Sequence, residues 1–239
     1  MKIDVLAISA HPDDAELSSS GTLISEVQNG RKVGILDLTL GELGTRGDKQ
    51  LRKEESKNAA EIVGASFRDN LELEDGFFKN DKENQLKVIQ RIRKFRPNTI
   101  ITNSIYDRHP DHVRGAQLVE ESYFKAGLRK IDTFNEDGTP QDPWRPKHLL
   151  FMIQSISLQP TLIIDISSSF PKKMEAIRAF KSQFFNPDSK EPETYISTPG
   201  FMAMLESRAV EYGHQIGVGY GEGFQLKQTP GLSSICDLL

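Results

Sequence analysis

Cysteine is nearly missing from this 239-residue chain, and its one instance, Cys236, excludes an intramolecular disulfide framework or a cysteine-built zinc module. Long apolar runs are missing as well, with none near the ~20 residues of a membrane span. Basic charge is not in excess: 30 Lys and Arg face 34 Asp and Glu, a net charge of -4, which argues against a nucleic-acid or polyanion binder. Met1-Lys2-Ile3-Asp4 lacks the cationic and apolar regions of a signal peptide. The expectation is a soluble cytoplasmic protein with no membrane or nucleic-acid partner. What is present, 37% hydrophobic and 27% charged residues, has the proportions of a globular core with a solvated surface. No repeat or low-complexity linker divides the chain, so one domain over residues 1–239 is expected.

Apolar runs of strand length alternate with helical patterns. Strands are expected at Ile3 to Ser9, Lys32 to Thr39, Ser66 to Leu71, Thr99 to Thr102, His148 to Ile153 and Leu162 to Ile166. Between them, Leu17, Leu23, Ile24 and Val27 share one helix face that stops at Asn29-Gly30. Further helices are expected at Leu51 to Val63, Asn84 to Phe95, about Val113 to Ala126, Phe170 to Phe180 and Phe201 to Glu211. This order predicts an α/β fold: a Rossmann-like, doubly wound, mostly parallel sheet with a decorated C-terminal third. Lys130 to Lys147 reads as an excursion near the functional edge of the sheet, and the glycine-rich Gly213 to Gly223 as loop.

In such a sheet ligands bind beyond the carboxyl ends of the strands where strand order reverses, here between the first and fourth. The first strand runs into Ala10-His11-Pro12-Asp13-Asp14, and the fourth into Arg108-His109-Pro110-Asp111-His112. His-Pro-Asp therefore occurs at both loops, and three of the five histidines fall there. The first loop lacks G-x-G-x-x-G and carries carboxylates where a pyrophosphate would approach, so dinucleotide binding is disfavoured. Two histidines and one carboxylate are a known zinc set with an open position. His11 and Asp14 lie where a loop becomes a helix and can converge on one point, while His112 enters from the other loop. Taken singly, each His-Pro-Asp is most simply a turn with a capping aspartate; their pairing at one crevice reverses that.

Ala-His-Pro-Asp-Asp-Ala-Glu-Leu and His-Pro-Asp-His resemble the motifs of the LmbE-like, or PIG-L type, zinc deacetylases. The resemblance covers most of the chain. Leu-Thr-Leu-Gly-Glu-Leu-Gly-Thr-Arg-Gly and the tail Ile-Gly-Val-Gly-Tyr-Gly-Glu-Gly-Phe are most similar to the branch that deacetylates N-acetylglucosaminyl malate in bacillithiol biosynthesis. Ser18-Ser19-Ser20-Gly21 departs from a run usually richer in glycine. The resemblance implies one Zn2+ on His11, Asp14 and His112, with Asp13 as general base. It implies His109 at the oxyanion, oriented by Asp111, and a homo-oligomer, a hexamer being one form. Other metals, Fe(II) or Co(II), suit the same donors.

The substrate expected is a small N-acetylglucosamine conjugate. Chitooligosaccharide, glucosaminyl inositol and thiol-conjugate amides are the alternatives, and a non-catalytic metal- or sugar-binding module is a more distant one. Arg52 and Arg108 are expected at the mouth as contacts to a substrate carboxylate, with Arg46 and Tyr195 next in line. Arg145 and His214 are open candidates, although isolated charges are more often solvated.

Overall fold

The structure is a computed structural model that describes residues 1–237; residues 238 and 239 of the expected 1–239 domain lie outside the described residues. Seven strands, β1 (Val5–Ser9), β2 (Val33–Thr39), β3 (Arg68–Leu73), β4 (Thr99–Thr102), β5 (His148–Met152), β6 (Leu162–Asp165) and β7 (Gly221–Gln225), form one sheet. Its order is β3-β2-β1-β4-β5-β7-β6, and the pairs from β3 to β5 are all parallel. The expected reversal of strand order thus lies between β1 and β4, where Val5 pairs Thr99 and Ile8 pairs Thr102.

Among the described residues six α-helices connect the strands: α1 (Asp14–Gln28), α2 (Lys49–Val63), α3 (Lys82–Phe95), α4 (Pro110–Ala126), α5 (Phe170–Arg178) and α6 (Pro199–Gln215). All five residues of β1 are buried, because both faces of the sheet are covered. Leu6 and Ile8 pack with Val88, Ile92 and Leu118 of α3 and α4, whereas Val5 and Ala7 pack with Leu23 and Ile24 of α1 and Ala176 of α5. Strand alternation therefore divides one β-strand between two cores. Helices α2 and α3 start before their apolar periodicity begins, because Asp48 and Asp81 cap them by accepting from the Leu51 and Asn84 amides.

Two expectations are corrected. The glycine-rich tail is not all loop: α6 continues to Gln215, and Gly221–Gln225 forms β7, antiparallel to both β5 and β6. Glycine is depleted in strands, but here it permits close approach; a Cβ on Gly221 would lie 2.8 Å from the Gly213 amide nitrogen of α6. The excursion from Lys130 to Lys147 lies at the opposite end of the sheet from the β1–β4 crevice. It is tied to the segment entering β4, where the Trp144 indole donates to the Pro97 carbonyl at 2.7 Å and the Lys147 amide to the Asn98 carbonyl at 2.7 Å.

Candidate functional site

The chain leaving β1 turns sharply into α1, and the turn is made by a residue ill suited to it. Asp13, the residue before α1, has φ 124° and ψ -26°, a conformation that costs a non-glycine residue about 1–3 kcal/mol. This backbone delivers Asp13 and Asp14 to the crevice as neighbours with separate surroundings. Asp14 is held from three sides: its Oδ2 accepts from the His11 amide and Asn103 Nδ2, both at 3.0 Å, and its Oδ1 accepts from Gln154 Nε2 at 3.0 Å. Asn103 and Gln154 lie just past the carboxyl ends of β4 and β5, so three strands position one carboxylate.

Two imidazoles face that carboxylate. His11 Nδ1 lies 3.5 Å from Asp14 Oδ2, and His112 Nε2 lies 3.0 Å from Asp14 Oδ1. The other nitrogen of each ring is backed by a carboxylate: Asp75 Oδ1 is 3.1 Å from His11 Nε2, and Asp107 Oδ2 is 2.5 Å from His112 Nδ1. Metal-binding histidines characteristically have this outer support, which fixes the tautomer and orients the ring. Burial opposes charge on His11, yet hydrogen bonds to Asp111, Asp14 and Asp75 outweigh it and hold the imidazolium well above its ordinary range. Burial likewise opposes charge on His112, but Asp14 and Asp107 push its pKa up to about 9. The cage thus favours positive charge at its centre. Its nitrogen and carboxylate donors suit a divalent metal ion.

Two donor groups lie close enough together to share an ion. His11, Asp75 and Asp111 approach one another, as do His11, His109 and His112, with ligand atoms within 4.8 Å in each group. In the first group the Asp111 carboxylate already accepts from the Gly76 amide at 2.8 Å and from Arg114 Nη1 at 2.5 Å. That group is best understood as the support behind His11. Replacing Asp75 or Asp107 by Asn is expected to weaken metal affinity about 10–100-fold while the fold survives. Metal titration of each variant checks this, and wild-type affinity in both would remove the supporting role.

His109 caps α4 through its ring: Nδ1 accepts from the Asp111 amide at 3.3 Å. Burial, with the charges of His11 and His112, lowers its pKa. A neutral His109 accepting at Nδ1 carries its proton on Nε2. The backbone amide of Asp111 orients the ring, while its carboxylate turns toward Gly76, Arg114 and, at 3.5 Å, His11 Nε2.

The arginines divide. Arg52 is only 5% exposed, and its guanidinium donates to Asp13 Oδ2 at 3.0 Å, the Pro12 carbonyl at 2.8 Å and the Gly41 carbonyl at 2.9 Å. These partners place it behind Asp13 as a support for that carboxylate. Burial pushes Asp13 up to about 7 against the pull of Arg52. Arg108 is exposed at the rim, its guanidinium carbon 4.2 Å from the centre of the Tyr195 ring. Arg46 is buried, with Nη2 donating to Ser189 Oγ at 2.5 Å. These side chains surround a cleft of about 410 Å³ that also exposes His11, Asp13 and His109. Arg145 and His214 are not among its lining residues, and Arg145 instead stacks on Phe124, at 4.6 Å from its ring centre.

Sequence reasoning found His11, Asp13, Asp14, His109 and His112, which the fold brings together, but missed Asp75, Asp107, Asn103 and Gln154. Asp107 stands next to Arg108 in the loop between β4 and α4, beside the second His-Pro-Asp segment. Asn103 and Gln154 had a topological signal, since they follow strands flanking the switch point. Asp75-Gly76 looks like an ordinary turn dipeptide.

Fold and site together define an α/β protein with a cation-favouring cage of imidazoles and carboxylates at its switch point. The signature of the family described as PIG-L: GlcNAc-PI de-N-acetylase matches residues 6–123, a span that includes every histidine and aspartate of the cage. A diacetylchitobiose deacetylase of Thermococcus kodakarensis is 30% identical over 240 residues, covering 95% of this chain and 84% of that protein. A probable N-acetyl-alpha-D-glucosaminyl L-malate deacetylase 2 of Bacillus anthracis is 26% identical over 193 residues, covering 75% of this chain and 81% of the relative. Among solved structures, a conserved protein of Thermus thermophilus matches with a TM-score of 0.86 and 31% identity over 98% of both chains. This chain belongs to the PIG-L (LmbE-like) deacetylase family.

Proposed function

We propose that this protein is a zinc-dependent N-deacetylase that hydrolyses the acetamide of an N-acetylglucosamine conjugate. The observation that carries the reading is the Asp14-centred cage with Asp13 beside it in the same cleft. His11, Asp14 and His112 would hold the ion. The chemistry zinc supplies in such a site is Lewis acidity, which makes water nucleophilic near neutral pH and polarises a carbonyl.

The rest falls to the chain's own groups. Asp13 accepts the proton of the attacking water as its oxygen bonds to the acetamide carbon. The same carboxyl then delivers a proton to the sugar nitrogen as the C–N bond breaks, so acetate and the free amine leave. Arg52 fixes the Asp13 Oδ2 edge for this exchange. His109 donates from Nε2 to the oxyanion, and a neutral imidazole at a helix N-terminus is a suitable donor there.

An acidic aglycone such as malate is the finer reading, and Arg108 supports it. Arg108 lies on the rim and makes no ion pair with a carboxylate among the described residues. A charge-assisted contact there should contribute about 1.5–3 kcal/mol before solvent screening reduces it. Acetate release should be measured on N-acetylglucosaminyl malate, N,N'-diacetylchitobiose and N-acetylglucosamine, with and without a chelator. The malate conjugate should be preferred, and Arg108→Ala should lower its kcat/KM by roughly 10-fold to 100-fold. Equal efficiency on all three would return the assignment to a general sugar deacetylase. Full turnover after metal removal would end the zinc reading.

A further inference from the structure

The Gly-Glu-Gly-Phe segment of β7 does not line the cleft, yet it reaches the helix that carries the cage. Glu222 turns its carboxylate into the middle of α1, where Oε1 accepts from the Gly21 amide at 3.3 Å and Oε2 from the Thr22 amide at 2.7 Å. Lys173 of α5 meets the same carboxylate at 2.5 Å and donates to the Leu17 carbonyl at 2.8 Å. In a regular α-helix the Gly21 amide is the partner of the Leu17 carbonyl. One ion pair therefore grips both ends of a single helical link. Both residues are deeply buried, Lys173 at 4% and Glu222 at 5% exposure.

The surrounding sequence is adapted to this contact. Ser19 and Ser20 donate back to the carbonyls of Ala15 and Glu16 at 2.9 and 2.6 Å, a pattern that bends helices. Gly21 lets Ile166, the residue after β6, press on α1, since a Cβ there would lie 2.8 Å from Ile166 Cδ1. A buried ion pair is a poor source of net stability, because desolvation offsets most of its attraction. Its placement is more informative. Leu17 and Ser18 form part of the cleft wall, and Asp14 begins the same helix.

We infer that Lys173 and Glu222 are positioning residues for the proposed hydrolysis, fixing the path of α1 through its first two turns and hence the aim of Asp13 and Asp14. The effect on turnover rests on the deacetylase reading; the effect on the helix does not. Neither residue lines the cleft, so both act through α1.

The test is the double variant Lys173→Met/Glu222→Gln, which removes both charges and strands neither. Amide hydrogen exchange over residues 14–22 should accelerate by about tenfold or more, with the amides of β1, β2 and β4 unaffected. Zinc affinity should fall about 10–100-fold, and kcat should fall by a similar factor while KM stays within about threefold. Lys173→Arg, which keeps the charge but crowds the Leu17 carbonyl, should give the same pattern more weakly and serves if the double variant does not fold. Unchanged exchange and zinc affinity in a folded variant would overturn the inference. So would uniform loosening of the whole protein, because that is what a merely structural pair predicts. A wild-type protein that releases no acetate from any N-acetylglucosamine conjugate would sink the deacetylase reading, leaving the exchange measurement to decide this one.

Discussion

Asp14→Ala is expected to reduce both bound metal and acetate release to the level of a blank, the largest effect of any single substitution here. Asp14 is the carboxylate on which His11 Nδ1 and His112 Nε2 converge, and Asn103 and Gln154 hold it in place. A catalytic zinc site ordinarily has three protein ligands, so losing one leaves two. The substitution also leaves two buried imidazoles facing each other without the carboxylate that reconciles them. Elemental analysis of the purified variant, paired with an acetate assay, decides the matter. Full metal occupancy would transfer the third ligand position to His109, whose ring nitrogen lies in the same cluster.

Asp13→Asn should separate proton transfer from metal binding. The amide preserves the size and shape of the aspartate at the strained backbone of φ 124°. It cannot accept a proton from water at neutral pH, so kcat should fall about 10²–10⁴-fold, the ordinary scale of a positioned general base. Metal content should remain that of the wild type, and KM should change little. Asp13→Ala is a poorer probe because it leaves the buried Arg52 guanidinium with no acceptor at that position, whereas the asparagine carbonyl can still take its hydrogen bond. Metal-replete Asp13→Asn that turns over near the wild-type rate would assign the base elsewhere.

The parallel half of the sheet was legible in the sequence because its strands are short apolar runs separated by amphipathic helices. The crevice followed from topology, and the two His-Pro-Asp segments fell on its two sides. β7 was not legible. Gly-Glu-Gly-Phe-Gln lacks the β-branched residues that mark a strand, and its glycines answer to the backbone of α6, a constraint seen only in three dimensions. The tertiary placement of Lys130 to Lys147 was equally hidden, since polar loops look alike at either end of a sheet. At the site, residue types that bind metal announced themselves, whereas their supports did not. Asp75, Asp107, Asn103 and Gln154 are scattered along the chain, and no local pattern joins them. Arg52 was visible as a charge near the mouth, but sequence could not reveal that its donors close onto Asp13 and two loop carbonyls.

The position of β7 between β5 and β6 makes one end of the sheet depend on the segment of the chain that is synthesised last among its strands. As the chain emerges from a ribosome at about 5–20 residues per second, both motifs of the site appear early, within the parallel half that can pair as it is made. β5 then waits with one edge open until Gly221–Gln225 arrives, and β6 waits for the same strand. Glu222 closes on Thr22 across 200 residues of chain. Contacts so distant in sequence form slowly, and an unpaired strand edge invites pairing with another molecule in the interval. The turn bearing Asp13 and Asp14 is held by Arg52, Asn103 and Gln154, all made early, whereas the Glu222 contact to its helix is supplied near the end of synthesis. A stall or truncation upstream of Gly221 would release a chain that holds its chemical groups but carries an adhesive sheet edge beside them.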